Sequence, residues 1–306
     1  MSMDLEFIQA FSPLFAHLQG SSEEKLLKSP LGSTAYYIFL IKYFPTNFRI
    51  IAKAAKDAMG SNINLNKLVR GRQDLLELGF ISQVLPLYGQ IKENFDRETF
   101  LPIAPILTWQ DNVDNLRGII SPENLEHRLE LIEELQDTFR INFGKYGVKV
   151  ENESITLFHS SRWLLYFLLY NVNDSKNVRM LLGALGSFRA PFIKYYEKTL
   201  ASGLKAKIIY DPTTETSKER IDNLMKLKEK YDANIKIKTT PISHGTSRRI
   251  ICDNMAIDGK KLVAFNSDLS YISTIYFQKE IIERMKNNFD TAFETSREVT
   301  MSNTIR

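Results

Sequence analysis

Apolar residues recur along this chain first at helical spacing and then at strand spacing, and the change of period divides it. "STAYYIFLIKYF" puts Tyr36, Phe39, Leu40 and Tyr43 three or four apart, which predicts a helix. A second helix follows in "NFRIIAKAAKDAMG", with Ile50, Ile51, Ala54, Ala55 and Met59 apolar and Gly60 as its stop. A third runs through "NLNKLVRGRQDLLELGF", where Leu65, Leu68, Val69, Leu75, Leu76 and Leu78 are apolar and Gly79 ends it. Gly71 inside this helix costs about 1 kcal/mol against Ala, so it implies a close helix approach or a local bend. Extended runs at Phe80 to Tyr88 and Thr99 to Ile103 then flank the polar "KENFDRE" and predict a hairpin with a long tip.

Helix, helix, helix, hairpin is the order of a winged helix-turn-helix, in which the helix before the wing enters the major groove. The pattern places this unit at residues 34–108, behind a helical extension at 1–33. At 109–147 the helical period returns in "SPENLEHRLELIEELQDTFRINFGKYG", with Ser121 as N-cap and Pro122 at the first helical position. Leu125, Leu129, Ile132, Leu135, Phe139 and Phe143 make an apolar seam between charged flanks, which predicts a coiled-coil dimerisation stem. A helix packed inside one domain would show the same spacing.

From 148 to 296 strands and helices alternate, as in an α/β layer with strands buried on both faces. "SITLFHS", "NVRMLLGAL", "KAKIIYD" and "NIKIKTT" read as strands, with helices in "FRAPFIKYYEKTLASG" and "SKERIDNLMKLKEKYD". "RRIICDN" and "KLVAFNS" read as a hairpin turning at Asp258-Gly259, and residues 297–306 as a disordered tail. The fold class is therefore mixed α+β and α/β in several domains.

Composition changes this picture little. A net charge of +4 over 306 residues neither demands nor excludes nucleic acid. With one cysteine, Cys252, no intrachain disulfide forms, and with four histidines besides there is little to build a structural zinc site. Cys252 itself reads as a buried core thiol. "RWLLYFLLYNV" is too short to span a bilayer, and the acidic N-terminus lacks a basic leader region, so a cytoplasmic location and no membrane partner are expected.

The stretches "LVRGRQDLLELGFI", "ETFLPIAP", "SGLKAKIIYD" and "CDNMAIDGKKLVAF" resemble the TrmB family of transcriptional regulators over roughly residues 30–293. That resemblance implies an N-terminal winged helix, a central coiled-coil helix and a C-terminal effector domain of the phospholipase D type. It also implies a homodimer on promoter or operator DNA, with no cofactor. Phospholipase D enzymes carry His-x-Lys-x4-Asp, and the matching slots here hold Thr246, Arg248 and Asp253. Threonine is not an ionised nucleophile near neutral pH. His244 lies two residues, about 6.6 Å of strand, away. His159 in "LFHSSRW" has no lysine two residues on. On residue types the chain is not an enzyme.

What is left is a set of candidate sites. His244, Thr246, Arg248, Asp253 and Asn266 are expected to form an effector pocket for a small anionic metabolite, because arginine grips anions in bidentate fashion. A structural pairing of Arg248 with Asp253 is the other reading. Asn64, Asn66, Lys67, Arg70, Arg72 and Gln73 belong to the reader helix, where Asn and Gln pair with adenine and Arg with guanine. Lys53, Lys56, Lys92 and Arg97 would hold phosphates. The competing functions are a winged helix that binds another protein and, further off, a phosphodiesterase or nuclease.

Overall fold

The computed structural model describes residues 3–16, 29–85, 100–116, 120–149, 154–172, 175–183, 185, 188, 190–213, 217–240, 247–261 and 269–299. They fall into two compact units. The first comprises Met1–Lys149, Phe158–Phe167 and Asn266–Leu269, and the second Val150–Leu157, Leu168–Phe265 and Ser270–Arg306.

The first unit is built round one helix. α1 (Met3–Ala16), α2 (Pro30–Tyr43), α3 (Phe48–Met59) and α4 (Leu65–Leu78) precede a hairpin of β1 (Ile81–Leu85) and β2 (Phe100–Pro102). α5 (Pro105–Leu116) and α6 (Pro122–Lys149) follow. α2 is apolar all round and buried from Gly32 to Ile41, so it is the core of the unit rather than a one-faced surface helix. Each of α3 and α4 starts on an asparagine cap: Asn47 accepts from the Ile50 amide and Asn64 from the Lys67 amide. α4 ends where Gly79 turns left-handed, at φ 78°. The hairpin pairs antiparallel with Ser82 opposite Leu101, and its tip, with Lys92 and Arg97, lies outside the described residues.

α6 begins as its sequence predicts, with Ser121 Oγ accepting from the Asn124 amide at 3.4 Å. Its seam is used differently. Ile132, Leu135 and Phe139 are buried within the chain itself, with Leu125, Leu129 and Phe143 half-buried. α6 packs on α1, α2 and α5. Phe143 stacks on Phe44, and Asn142 donates to the carbonyls of Ile41 and Lys42. Ile132, Leu135 and Phe139 of the expected dimerisation seam thus pack within their own chain. A three-to-four spacing reports that a face is buried, and α1 and α5 supply the cover. The stretches 1–33, 34–108 and 109–147 lie in this one unit.

The second unit is built on a mixed sheet of β3 (Ser154–Ser160, its last three residues counted in the first unit), β4 (Asn177–Leu182), β5 (Lys205–Tyr210), β6 (Ile235–Thr239), β7 (Ser247–Ile251), β8 (Ala256–Lys261), β9 (Leu269–Tyr276, Leu269 counted in the first unit) and β10 (Arg297–Glu298), in the order β10-β6-β5-β4-β7-β8-β9-β3. β4, β5 and β6 run parallel and β7, β8 and β9 form an antiparallel meander. Among the helices here, α7 (Ser161–Val172) straddles the two units, while α8 (Ala190–Ala201) and α9 (Lys218–Lys230) link the parallel strands. α10 (Lys279–Thr295) lays Ile282, Met285, Phe289 and Phe293 on Ile209, Ile251 and Ala256 of the sheet.

Three expectations are overturned here. The β7–β8 connection turns at Cys252–Met255, where the Cys252 amide donates to the Met255 carbonyl at 2.8 Å, and not at Asp258-Gly259. Gly259 is inside β8 because a Cβ there would lie 2.3 Å from Ser273 Oγ on the neighbouring strand. Residues 297–298, expected in a disordered tail, pair with β6. Finally, β6 is not buried on both faces: Ile235 and Ile237 are inside while Lys236 is exposed.

Candidate nucleic-acid interface

α4 divides sharply into two faces. Leu68, Gly71, Asp74 and Leu75 are buried, and this side packs on α2. The contact is backbone to backbone, since a Cβ on Gly71 would lie 2.2 Å from the Gly32 carbonyl carbon. Asp74 anchors the crossing by accepting from the Ser29 amide at 2.9 Å. The opposite side presents Asn66, Val69, Arg70 and Gln73 to solvent, with Leu65 and Lys67 in the first turn. α3 adds exposed Arg49, Lys53 and Lys56. Across α3 and α4 these five exposed cations face a single exposed carboxylate, Asp57, so the surface attracts anions.

The expected reader residues separate into different roles. Asn66 and Arg70 are exposed on the outer face and are placed to reach a groove. Asn64 spends its side-chain oxygen on the Lys67 amide at 2.9 Å, so it caps the helix. Lys67 Nζ donates to the Asn62 carbonyl at 2.9 Å, and Gln73 Nε2 to Glu77 Oε1 at 3.2 Å. Arg72 lies between two rings, 5.2 Å from the centroid of Phe48 and 5.4 Å from that of Phe100. It therefore ties α3 and the hairpin to α4 as a packing group. Leu65 and Val69, apolar positions of this helix in the sequence, are 61% and 40% exposed. Helical period alone misses this, because the two residues flank the buried stripe by about one residue position.

The hairpin is held from below by α7. Ser160 Oγ accepts from the Trp163 amide, and Trp163 Nε1 donates to the Leu101 carbonyl at 2.9 Å. His159, a candidate for phosphodiesterase chemistry, is fully buried; its Nδ1 meets the Ser160 carbonyl at 2.7 Å and its ring lies 5.4 Å from Trp163. It is a core histidine.

In the second unit Arg248 lies on β7 opposite Leu182 of β4, at the carboxyl end of the parallel strands, where open α/β sheets bind ligands. Its guanidinium donates to Tyr271 Oη at 3.0 Å and sits 4.5 Å over that ring. Asp253 is at the other end of β7, five residues or roughly 17 Å along the strand. Its carboxylate accepts from the amides of Lys176 and Asn177 at 2.7 and 3.2 Å, which caps the start of β4. Arg248 and Asp253 thus neither share a pocket nor pair, and Arg249 on the reverse face binds Asp258 at 2.7 Å. His244, Thr246 and Asn266 lie outside the described residues.

On the α10 face, Asp290 takes a bidentate contact from Arg179 and a 2.8 Å bond from Lys207. Burial works to raise the Asp290 carboxyl, but the hydrogen bonds and charges of Arg179 and Lys207 outweigh it and hold the group below the usual range. Burial pushes the Cys252 thiol up to about 12, so it is not a nucleophile at neutral pH. Among the described residues no group of three or more His, Cys, Asp or Glu could hold a metal ion, and no helix is long and apolar enough to cross a membrane.

No protein-family model and no curated protein sequence matches the chain. Solved structures do. TrmBL2, described as an archaeal chromatin protein with a novel mode of DNA binding, is 14% identical over 96% of this chain and 99% of its own, with a TM-score of 0.38. Nuc of Salmonella typhimurium, a phospholipase D family member, is 17% identical over 44% of this chain and 88% of its own, at 0.35. NucT from Helicobacter pylori is 13% identical over 48% of this chain and all of its own, at 0.37.

Proposed function

We propose that the chain is a DNA-binding transcriptional regulator of the TrmB type, acting in the cytoplasm on promoter or operator duplexes. The observation that carries this reading is the division of α4: one face is closed against α2 while the other is solvent-facing and carries exposed Asn66, Lys67, Arg70 and Gln73. Arg49, Lys53 and Lys56 are suited to phosphates, and Asn66 and Arg70 to base edges. The second unit, in this reading, is a phospholipase D-like domain without chemistry that takes a small anionic metabolite at Arg248. Pairing of two chains into a homodimer would then use surface other than the Ile132–Leu135–Phe139 seam, which is already filled.

Fluorescence anisotropy on mixed-sequence duplex DNA tests the reading. The full chain should bind with an affinity that falls steeply with salt, and replacing Lys53, Lys56 and Arg70 together by Ala should lower the slope by about 0.9 per lost phosphate contact. Identical binding by parent and triple variant at every salt concentration overturns it. Silence of the second unit is tested with bis-p-nitrophenyl phosphate. No turnover is expected; turnover lost on His244→Ala would establish the phosphodiesterase.

A second reading, a winged helix that docks another protein, is favoured by the exposure of Ile50, Leu65 and Val69. The excess of exposed cations on α3 and α4 argues for duplex DNA instead.

A further inference from the structure

We infer that α4 selects A·T pairs by covering thymine 5-methyl groups with Leu65 and Val69. This rests on the DNA-binding reading and specifies what that surface recognises. Two branched aliphatic side chains stand bare on the outer face of α4, Leu65 at 61% and Val69 at 40% exposure, while the rest of that face is polar or cationic. Phosphates offer such side chains nothing. In the major groove the one apolar group on a base edge is the 5-methyl of thymine.

The geometry suits that contact. Leu65 and Val69 are four residues apart and so share a face, separated by about 6 Å along the helix axis. Stacked bases repeat at about 3.4 Å per strand, so the pair covers methyls one or two steps apart. Asn66 is exposed beside them, and its amide is the group that pairs with adenine, the partner of thymine. Charge complementarity argues for the occupant: exposed Lys67 and Arg70 share α4 with the aliphatic pair, α3 adds exposed Arg49, Lys53 and Lys56, and these match an anionic duplex. The Asn64 cap and the Gly32–Gly71 crossing hold this turn of helix rigid, so the two side chains are presented without a folding step.

The test uses the full chain and duplexes that differ only in methyl groups. Anisotropy titrations compare an alternating adenine–thymine duplex with the same duplex carrying uracil for every thymine. A second comparison sets an alternating guanine–cytosine duplex against its 5-methylcytosine form. Each methyl covered should contribute about fourfold in affinity, the equivalent of one buried methylene. Both methylated duplexes should therefore bind more tightly than their unmethylated counterparts. Leu65→Ser with Val69→Ser should erase both preferences, so that methylated and unmethylated duplexes bind the variant alike; both sites are exposed, and an unaltered thermal melt confirms the fold. Binding of thymine and uracil duplexes with equal affinity overturns the inference and leaves DNA binding standing. Failure to bind any of the four duplexes overturns the regulator reading itself. Self-association of the parent that the double variant abolishes assigns the pair to a second copy and overturns the inference.

Discussion

Gly71 of α4 lies directly against Gly32 of α2, and neither position has room for a side chain. A Cβ on Gly32 would stand 2.0 Å from the Lys67 carbonyl oxygen, and one on Gly71 2.2 Å from the Gly32 carbonyl carbon. Two helices meet here backbone to backbone, which fixes how far α4 sits from the core and which of its residues face out.

Gly71→Ala should therefore destabilise the first unit although Ala is the better helix former. The gain in propensity is about 1 kcal/mol, and overpacking typically costs 1–3 kcal/mol or more against backbone that cannot shift. Urea unfolding should show the midpoint fall for Gly71→Ala and for Gly32→Ala. A midpoint raised by either substitution would mean that the crossing is looser than described.

Arg70 and Arg72, two residues apart, should behave oppositely. Arg70 is exposed, so Arg70→Ala should weaken duplex binding and leave the stability within about 0.5 kcal/mol of the parent. Arg72 lies against Phe48 and Phe100, so Arg72→Ala should cost on the order of 1 kcal/mol of stability through the lost cation–π contacts. Anisotropy and thermal melting on the same two variants separate the roles.

Substitution in the α6 seam should injure folding rather than assembly. Ile132 is fully buried within its own chain, and Ile132→Ala should cost about 2–5 kcal/mol. Sedimentation should show the same oligomeric state for parent and variant at a temperature where both are folded. A change of state with little loss of stability would restore the stem between two chains.

Asp290 should make the second unit acid-sensitive. Its folded carboxyl titrates below the unfolded value of about 3.9, so its contribution is present above that pH and is lost as the pH falls through the lower folded value. Partial exposure screens the pair, and the contribution is on the order of 1 kcal/mol. Asp290→Asn should lower stability at neutral pH and flatten the dependence below about pH 4. Denaturant midpoints across that range, for parent and variant, measure both effects.

Some of this was legible beforehand in local chemistry. Ser121 announces a helix start because a short side-chain acceptor meets an amide within its own turn, whereas Asn64, expected among the base readers, is shown by the structure to be a cap of the same kind. Gly71 announced a close approach or a bend, and the structure selects the approach. The β7–β8 turn was misplaced because Asp258-Gly259 is a good turn dipeptide, while Gly259 is there for its clearance from Ser273 and Asp253 closes the true turn by capping β4. No local pattern carries either partner.

The sequence by itself determined most of the helices and strands, since period, caps and propensity act over a few residues, but not α5, the position of β8 or the pairing of β10. Only the tertiary structure decided which apolar stripe is core and which is surface. Leu65 and Val69 went outward, and Ile132, Leu135 and Phe139 inward, because burial depends on what covers a face. That cover comes from α1, α2 and α5, distant in the chain, whose placement no spacing within α4 or α6 encodes.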